Sequence, residues 1–107
     1  MTKNRKEKFD LLVRLNTIHN ECYWDYESSC EYRHPKQVKR YIKILSLIEK
    51  KINSVENQLA KSYKVDYFHQ IPKEDYEYYR VKSNESYPDR WHNYERDLEQ
   101  LGMKLPK

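Results

Sequence analysis

Glycine and cysteine are both scarce in this sequence of 107 residues, which contains one glycine and two cysteines. Loops that cradle phosphates or form oxyanion holes depend on glycine-rich backbone, so the composition argues against enzymes of those classes. Two cysteines are too few for a secreted scaffold held together by disulfides. No apolar run approaches the roughly 18 residues that a membrane span requires. We therefore expect a soluble, intracellular protein with no membrane span.

Charged and aromatic residues are abundant instead. Charged residues make up 36% of the chain, and there are eleven tyrosines and two tryptophans. A chain of this length buries only a modest core. Aromatic rings bring a large buried area to such a core, which favours folding despite the polar composition. The composition predicts a single small domain spanning residues 1–107.

Two long segments carry the apolar spacing of α-helices. The first covers about 4–31. Its apolar stripe consists of Leu11, Leu15, Ile18 and Cys22. The second covers about 35–63 and starts at Pro35, a residue that suits the first position of a helix. Its apolar residues recur at intervals of three and four, as in the seam of a coiled coil. This seam consists of Val38, Tyr41, Leu45, Ile48, Ile52, Val55 and Leu59.

The connection between these helices is short, with only Tyr32, Arg33 and His34 between them. Two helices of similar length with such a connection are predicted to form an antiparallel hairpin. The predicted layers of the hairpin pair Cys22 with Leu45, Ile18 with Ile48, Leu15 with Ile52, and Leu11 with Val55. The short connection favours pairing within one chain. The seam could also join two chains, so the sequence leaves monomer and homodimer both open.

The remaining chain is predicted to complete an all-α bundle. A Tyr-rich, irregular segment covers about 64–87, with the start of a short helix after Pro72. A C-terminal helix is predicted at about 88–101, because apolar residues share one face there and Gly102 ends the pattern. That face carries Trp91, Tyr94, Leu98 and Leu101.

The net charge of +4 is unevenly distributed along the hairpin. Residues 21–31 include four acids and no base, whereas residues 33–43 include five bases and no acid. The hairpin sets these runs side by side. The expected pairs join Glu27 and Glu31 to Lys36 and Arg40. Each surface pair contributes only about 0–1 kcal/mol, but together they cancel the local field. We interpret the basic run as the partner of the acidic run rather than as a phosphate-binding track.

Both cysteines and two histidines lie close together in the sequence, at His19, Cys22, Cys30 and His34. Zinc binds such residues in sets of four. On one continuous helix, however, His19 and Cys30 would lie about 16 Å apart. We therefore interpret Cys22 as a core residue and leave the zinc site open as an alternative. Nucleophilic catalysis would also need an orienting third group. We predict no catalytic residue, metal or cofactor.

Basic residues gather at the open end of the predicted hairpin, at Lys3, Arg5, Lys6, Lys8, Lys61 and Lys64. Such an end could contact nucleic acid, a lipid headgroup or an acidic protein. It could also be a solvated helix end, or be covered by the acidic residues that follow position 65. The sequence leaves these alternatives open.

Apolar and aromatic residues outside the seam indicate a contact surface for a partner. Tyr76, Tyr78 and Tyr79 are too closely spaced for all three rings to enter one core, and tyrosine is favoured at interfaces. The predicted partner-binding residues are Ile44, Leu47, Tyr76, Tyr78 and Tyr79. We expect a non-enzymatic protein–protein interaction module. It would be a small regulator or inhibitor of the type that mobile elements and viruses encode, or an accessory subunit of a large assembly. A nucleic-acid-binding protein that uses the basic end is the alternative.

Overall fold

The structure is a computed structural model that describes residues 1–86 and 93–106. Within these ranges the chain is all-α, with no strand, as predicted. It consists of α1 (Lys3–Glu31), α2 (Pro35–Ser62), a 3₁₀ turn (Phe68–Gln70), α3 (Lys73–Glu85) and α4 (Tyr94–Gln100). The first two helices agree with their predicted bounds to within one residue.

The first two helices form the predicted antiparallel hairpin. Hydrogen bonds between their side chains report the register along its whole length. They join Arg5 to Ser62 (Nε to Oγ, 3.2 Å), His19 to Glu49 (3.1 Å) and Ser29 to Gln37 (3.4 Å). These pairs belong to the same register as the predicted layers, so the predicted pairing is confirmed.

The core lies between the hairpin helices and extends around α1. Ile18 and Cys22 of α1 are buried against Leu45 and Ile48 of α2, as the layers require. Leu12 is fully buried, whereas Leu11, which belongs to the predicted stripe, is only half-buried. The reason is that α3 and α4 also pack on α1, so the buried face of this helix is wider than the seam that faces α2.

Three helices end in the same hydrogen-bonded motif, the Schellman motif, in which the residue after the C-cap has left-handed backbone. At the end of α1 the left-handed residue is Arg33, at the end of α2 it is Lys64, and at the end of α4 it is Gly102. The closing bonds run from His34 to Ser29, from Val65 to Ala60 and from Met103 to Leu98. This motif turns the chain sharply after α1 and permits the three-residue connection.

The Tyr-rich segment is more regular than predicted. The irregular segment expected at about 64–87 contains the 3₁₀ turn and the 13-residue helix α3, which begins directly after Pro72. Only one aliphatic residue, Val81, lies in α3, so a search for aliphatic periodicity does not find the helix. The predicted C-terminal helix is present from Tyr94 onward, and the part of its predicted range at 88–92 lies outside the described residues. None of the described helices is both long and apolar enough to cross a membrane.

Candidate binding surfaces

The cysteines and histidines that could have formed a zinc site are kept apart by the continuous helix α1. His19 bonds to Glu49 of α2, Cys22 is fully buried, and Cys30 is exposed near the turn. Among the described residues, no group of three or more His, Cys, Asp or Glu side chains is placed to hold a metal ion. The structure does not bring the four candidate zinc ligands together.

A buried cluster around Cys22 anchors α4 to the hairpin. Burial raises the pKa of the Cys22 thiol from its ordinary value of 9.0 to about 12, so the sulfur stays protonated. A thiolate is the reactive form of cysteine, so Cys22 is not an activated nucleophile. Burial and the neighbouring Asp25 carboxylate also raise the pKa of Tyr94, which contacts Tyr41 as well. The contacts of this cluster account for the burial of Tyr94, whose side chain is almost fully buried.

The three tyrosines predicted to bind a partner belong to an aromatic cluster that holds α3 on α1. We define the aromatic cluster as Phe9, Phe68, Tyr76, Tyr78 and Tyr79, whose ring centroids lie 5.6–6.2 Å from their neighbours. The Tyr78 hydroxyl donates to Asp10 (2.8 Å), and the Tyr79 hydroxyl accepts from Asn16. Tyr76 remains 38% exposed. The expectation that at least one of the three rings lies at the surface is confirmed.

The predicted contact residues on α2 occupy a different part of the molecule. Ile44 is fully buried in the core, so its side chain is not on the surface of this chain. One turn earlier, Arg40 donates to Glu95 (2.9 Å) and to the carbonyl of Pro106 (2.8 Å). The C-terminal part of the chain therefore covers this face of α2. Leu47 is half-buried. The five predicted residues do not form one continuous surface, because α3 packs near the opposite end of the hairpin.

The expected neutralisation of the basic run by the acidic run is wrong for Arg40, which pairs with Glu95 of α4. Within the described ranges no ion pair joins the two runs. Lys36, Lys39 and Lys43 are exposed. The reason is geometric: these lysines point away from α1, whereas the expected pairing needs side chains on the flank that faces it.

Part of the basic end of the hairpin makes contacts within the chain. Arg5 bonds to Ser62 and lies over the Tyr63 ring, with its guanidinium carbon 3.8 Å from the ring centroid. The Tyr63 hydroxyl in turn donates to Asp75 at the start of α3. Lys3, Lys6, Lys61 and Lys64 are exposed, and Lys8 is half-buried. Arg5 is thus a structural residue, and five lysines of the predicted set remain.

One flank of the hairpin near its turn is left open. We define the turn-proximal groove as Tyr23, Tyr26, Val38 and Ile42. The His19–Glu49 bond crosses from α1 to α2 on this flank. Tyr23 and Tyr26 follow His19 by one and two turns, and Ile42 precedes Glu49 by two turns, so all lie on the same side. Ile42 is 49% exposed and Tyr23 is 43% exposed. Ile42 lies outside the seam, and this position is the sequence signal that could have identified it as a contact residue. The prediction selected Ile44 and Leu47 instead.

A cleft of about 690 Å³ lies on the opposite side of α1. Its lining includes Asp10, Arg14, Glu21 and Asp97, and an ion pair joins Arg14 to Asp97 (3.3 Å). No cysteine or histidine of the described ranges lines it. Its lining also includes the hydroxyl residues Thr17 and Ser86.

Comparison of the chain with family models, with curated proteins and with solved structures finds no match.

Proposed function

We propose that this protein is a non-enzymatic binding module that contacts a larger protein, as a small regulator or inhibitor or as an accessory subunit. The observation that supports the proposal is the turn-proximal groove, where two long helices leave apolar and aromatic side chains open to solvent. Contiguous exposed apolar surface rimmed by polar residues is typical of protein interaction sites.

The two halves of the hairpin differ in how this flank is covered. Toward the open end, the aromatic cluster and the 3₁₀ turn close the flank, with Phe9 fully buried beneath them. Toward the turn, no described element packs over Tyr23 and Ile42. The rings of Tyr23 and Tyr26 contact each other at 5.7 Å, so they form one rigid surface. Tyrosine offers such a surface at low entropic cost, which suits binding of a protein.

The non-enzymatic part of the proposal depends on the state of the side chains that could act in catalysis. The Cys22 thiol is buried with a raised pKa, and Cys30 lies near a turn on the surface. His19, the most buried of the described histidines, is bonded to Glu49 rather than to a serine or cysteine. A nucleophile needs a base within hydrogen-bonding reach, and the partner of Cys22 is the Tyr94 hydroxyl instead.

The test compares two double variants of the tagged protein in affinity capture from lysate of its source, after nuclease treatment. Tyr23→Gln/Ile42→Gln changes the groove, and Tyr67→Gln/Val81→Gln is the control. The control residues are likewise a tyrosine and a β-branched aliphatic residue. Tyr67, directly before the 3₁₀ turn, is 63% exposed, and Val81 on α3 is 43% exposed. We expect a stoichiometric protein partner to be retained by the control and lost by the groove variant. Equal retention by both variants, with unchanged circular dichroism, would refute the groove as the contact.

The alternative, nucleic-acid binding at the basic end, has less support than the sequence implied. Arg5 is engaged by Ser62 and Tyr63, and the acidic residue Asp75 lies close by through its bond to Tyr63. The alternative now depends on Lys3, Lys6, Lys8, Lys61 and Lys64. Loss of every captured protein after nuclease treatment would favour it.

A further inference from the structure

The positive charge of this protein is concentrated on α2. This helix carries seven basic and two acidic residues, a net charge of +5. The whole chain has a net charge of +4, so all other residues together have a net charge of −1. One helix therefore accounts for the basic character of the molecule.

Five of the seven basic residues of α2 lie along the face that points away from α1. Each of the first seven positions of this face is two residues before a position of the seam, which places it nearly opposite the seam on the helix, and the eighth follows one helical turn after the seventh. We define the lysine face as Lys36, Lys39, Lys43, Ser46, Lys50, Asn53, Asn57 and Lys61. All eight residues are exposed. None is acidic, apolar or aromatic. Ser54 and Gln58 lie beside the face and line a shallow groove of about 460 Å³ with its last four members.

No carboxylate of the described chain neutralises this face. The two acids of α2 lie on another flank, where Glu49 bonds to His19 and Glu56 is half-buried. The ion pairs in the described ranges involve Arg14, His19, Arg40 and Arg80, and none involves a lysine of the face. Both later helices pack on α1, and within the described ranges the eight residues of the lysine face stay exposed. The five lysines are free to bind an external anion.

We infer that the lysine face binds the phosphate backbone of a nucleic-acid duplex. The face runs straight for 25 residue steps, about 38 Å, which is close to the 34–36 Å length of one duplex turn. Lysine binds phosphate by charge, while serine and asparagine donate hydrogen bonds to phosphate and sugar oxygens. All the side chains of the face serve one of these two roles.

The composition of the face favours a duplex over a single strand, a membrane or a protein. A single strand is bound through base stacking on aromatic rings, and the face has none. Docking on an anionic membrane uses apolar residues that enter the lipid, which are also missing. Protein interfaces concentrate their binding energy in tyrosine, tryptophan and arginine. A surface of lysine with neutral hydrogen-bond donors matches a regular array of phosphates.

The salt dependence of binding measures how many phosphates the face contacts. Each neutralised phosphate contributes about −0.9 to the slope of log affinity against log salt for duplex DNA. Five lysines therefore predict a slope of up to about −4.5. Removal of three lysines should reduce its magnitude by about 2.7.

The experiment measures fluorescence anisotropy of a labelled duplex of two helical turns, between about 50 and 200 mM salt. The test variant is Lys39→Gln/Lys43→Gln/Lys50→Gln. The control is Lys73→Gln/Lys82→Gln/Lys104→Gln, which removes the same charge from exposed lysines that belong neither to the lysine face nor to the basic end. Glutamine has nearly the helix propensity of lysine, so both variants should fold, as circular dichroism can verify. We expect the test variant to lose more than about tenfold in affinity at the lowest salt concentration, and the control less than about threefold.

Three results would overturn the inference. The wild-type protein could fail to bind duplex, the two variants could weaken binding equally, or a single strand or a phosphatidylserine vesicle could bind more tightly than duplex. The lysine face and the turn-proximal groove share no residue. Failure of the duplex experiment would therefore leave the proposed protein contact standing, and failure of the groove variant would leave the lysine face standing.

Discussion

Arg33 and Lys64 hold left-handed backbone, with φ of 57° and 59°. This conformation costs an L-residue with a Cβ atom roughly 1–2 kcal/mol, and glycine avoids the cost. Both residues lie at the position after a helix C-cap that glycine most often occupies. In this chain Gly102 alone has the favoured residue type at that position. At two of these three helix ends, hydrogen bonds therefore hold the backbone in a conformation that the residue at that position disfavours.

Replacement of these residues by glycine should stabilise the fold. We expect Arg33→Gly and Lys64→Gly each to raise the free energy of unfolding by about 0.5–1 kcal/mol, since part of the gain is offset by the greater freedom of glycine in the unfolded chain. Gly102→Ala should lower it by about 1 kcal/mol. An added Cβ at Gly102 meets no atom within 4 Å, so this loss would come from the backbone alone. Urea unfolding measures all three, and a glycine variant less stable than wild type would contradict the assignment.

Among the elements, α3 is the helix that contacts between aromatic rings hold in place. The tyrosines on its inner side surround Phe9 of α1. Their hydroxyls form hydrogen bonds to polar residues of α1 as well. Isolated helices of this length are marginal in water. The aromatic cluster therefore decides whether residues 73–85 are helical.

Truncation of Phe9 tests this dependence. Phe9→Ala removes a fully buried ring and should lower the free energy of unfolding by about 3–5 kcal/mol. Val81→Ala, at a site that is 43% exposed on α3, is the control and should change it by less than about 0.5 kcal/mol. Hydrogen exchange of the α3 amides should accelerate more than that of the α1–α2 layers near Ile48. Uniform acceleration over the whole chain would contradict the idea that Phe9 supports α3 in particular.

For the whole molecule, buried phenols and a buried thiol make the folded state sensitive to alkali. Burial raises the pKa of the Cys22 thiol to about 12 and the pKa of Tyr63 to about 12, and it also raises the pKa of Tyr79 and Tyr94. The unfolded chain ionises these groups near their ordinary values of 9.0 for the thiol and 10.0 for tyrosine. Folding therefore competes with their ionisation at high pH.

The sign follows from the raised pKa values. Their contribution to stability is fully present below pH 9.0, the ordinary pKa of the thiol, and is lost as the pH rises toward about 12. We expect the free energy of unfolding to stay level from neutral pH to about pH 9 and to fall steeply above it. Urea unfolding at a series of pH values, followed by phenolate absorbance, measures this loss. A stability that does not change between about pH 9 and pH 11 would contradict the burial of these groups.

Much of the hairpin could be predicted from the sequence, because its signals are local or periodic. The 3-4 spacing from Val38 to Leu59 predicts α2 and its inward face, and Pro35 marks its start. The short turn then determines which residues of the two helices face each other in the layers. The partners of Arg40 and the burial of Ile44 could not be predicted, since both depend on a C-terminal segment more than fifty residues away. The candidate contact surface differs from the predicted one for the same reason, because the packing of later elements decides which residue outside the seam stays exposed.

The local sequence is enough to set the all-α class, the two long helices and their register, because backbone periodicity and a three-residue connection leave few other arrangements. Tertiary contacts were needed to show that the tyrosines after Pro72 form a helix, that Arg40 pairs with α4 rather than with the acidic run, and that five lysines of α2 share one exposed face. Each of these depends on side chains that are far apart in sequence, and the free energy of such contacts exists only once the chain has folded.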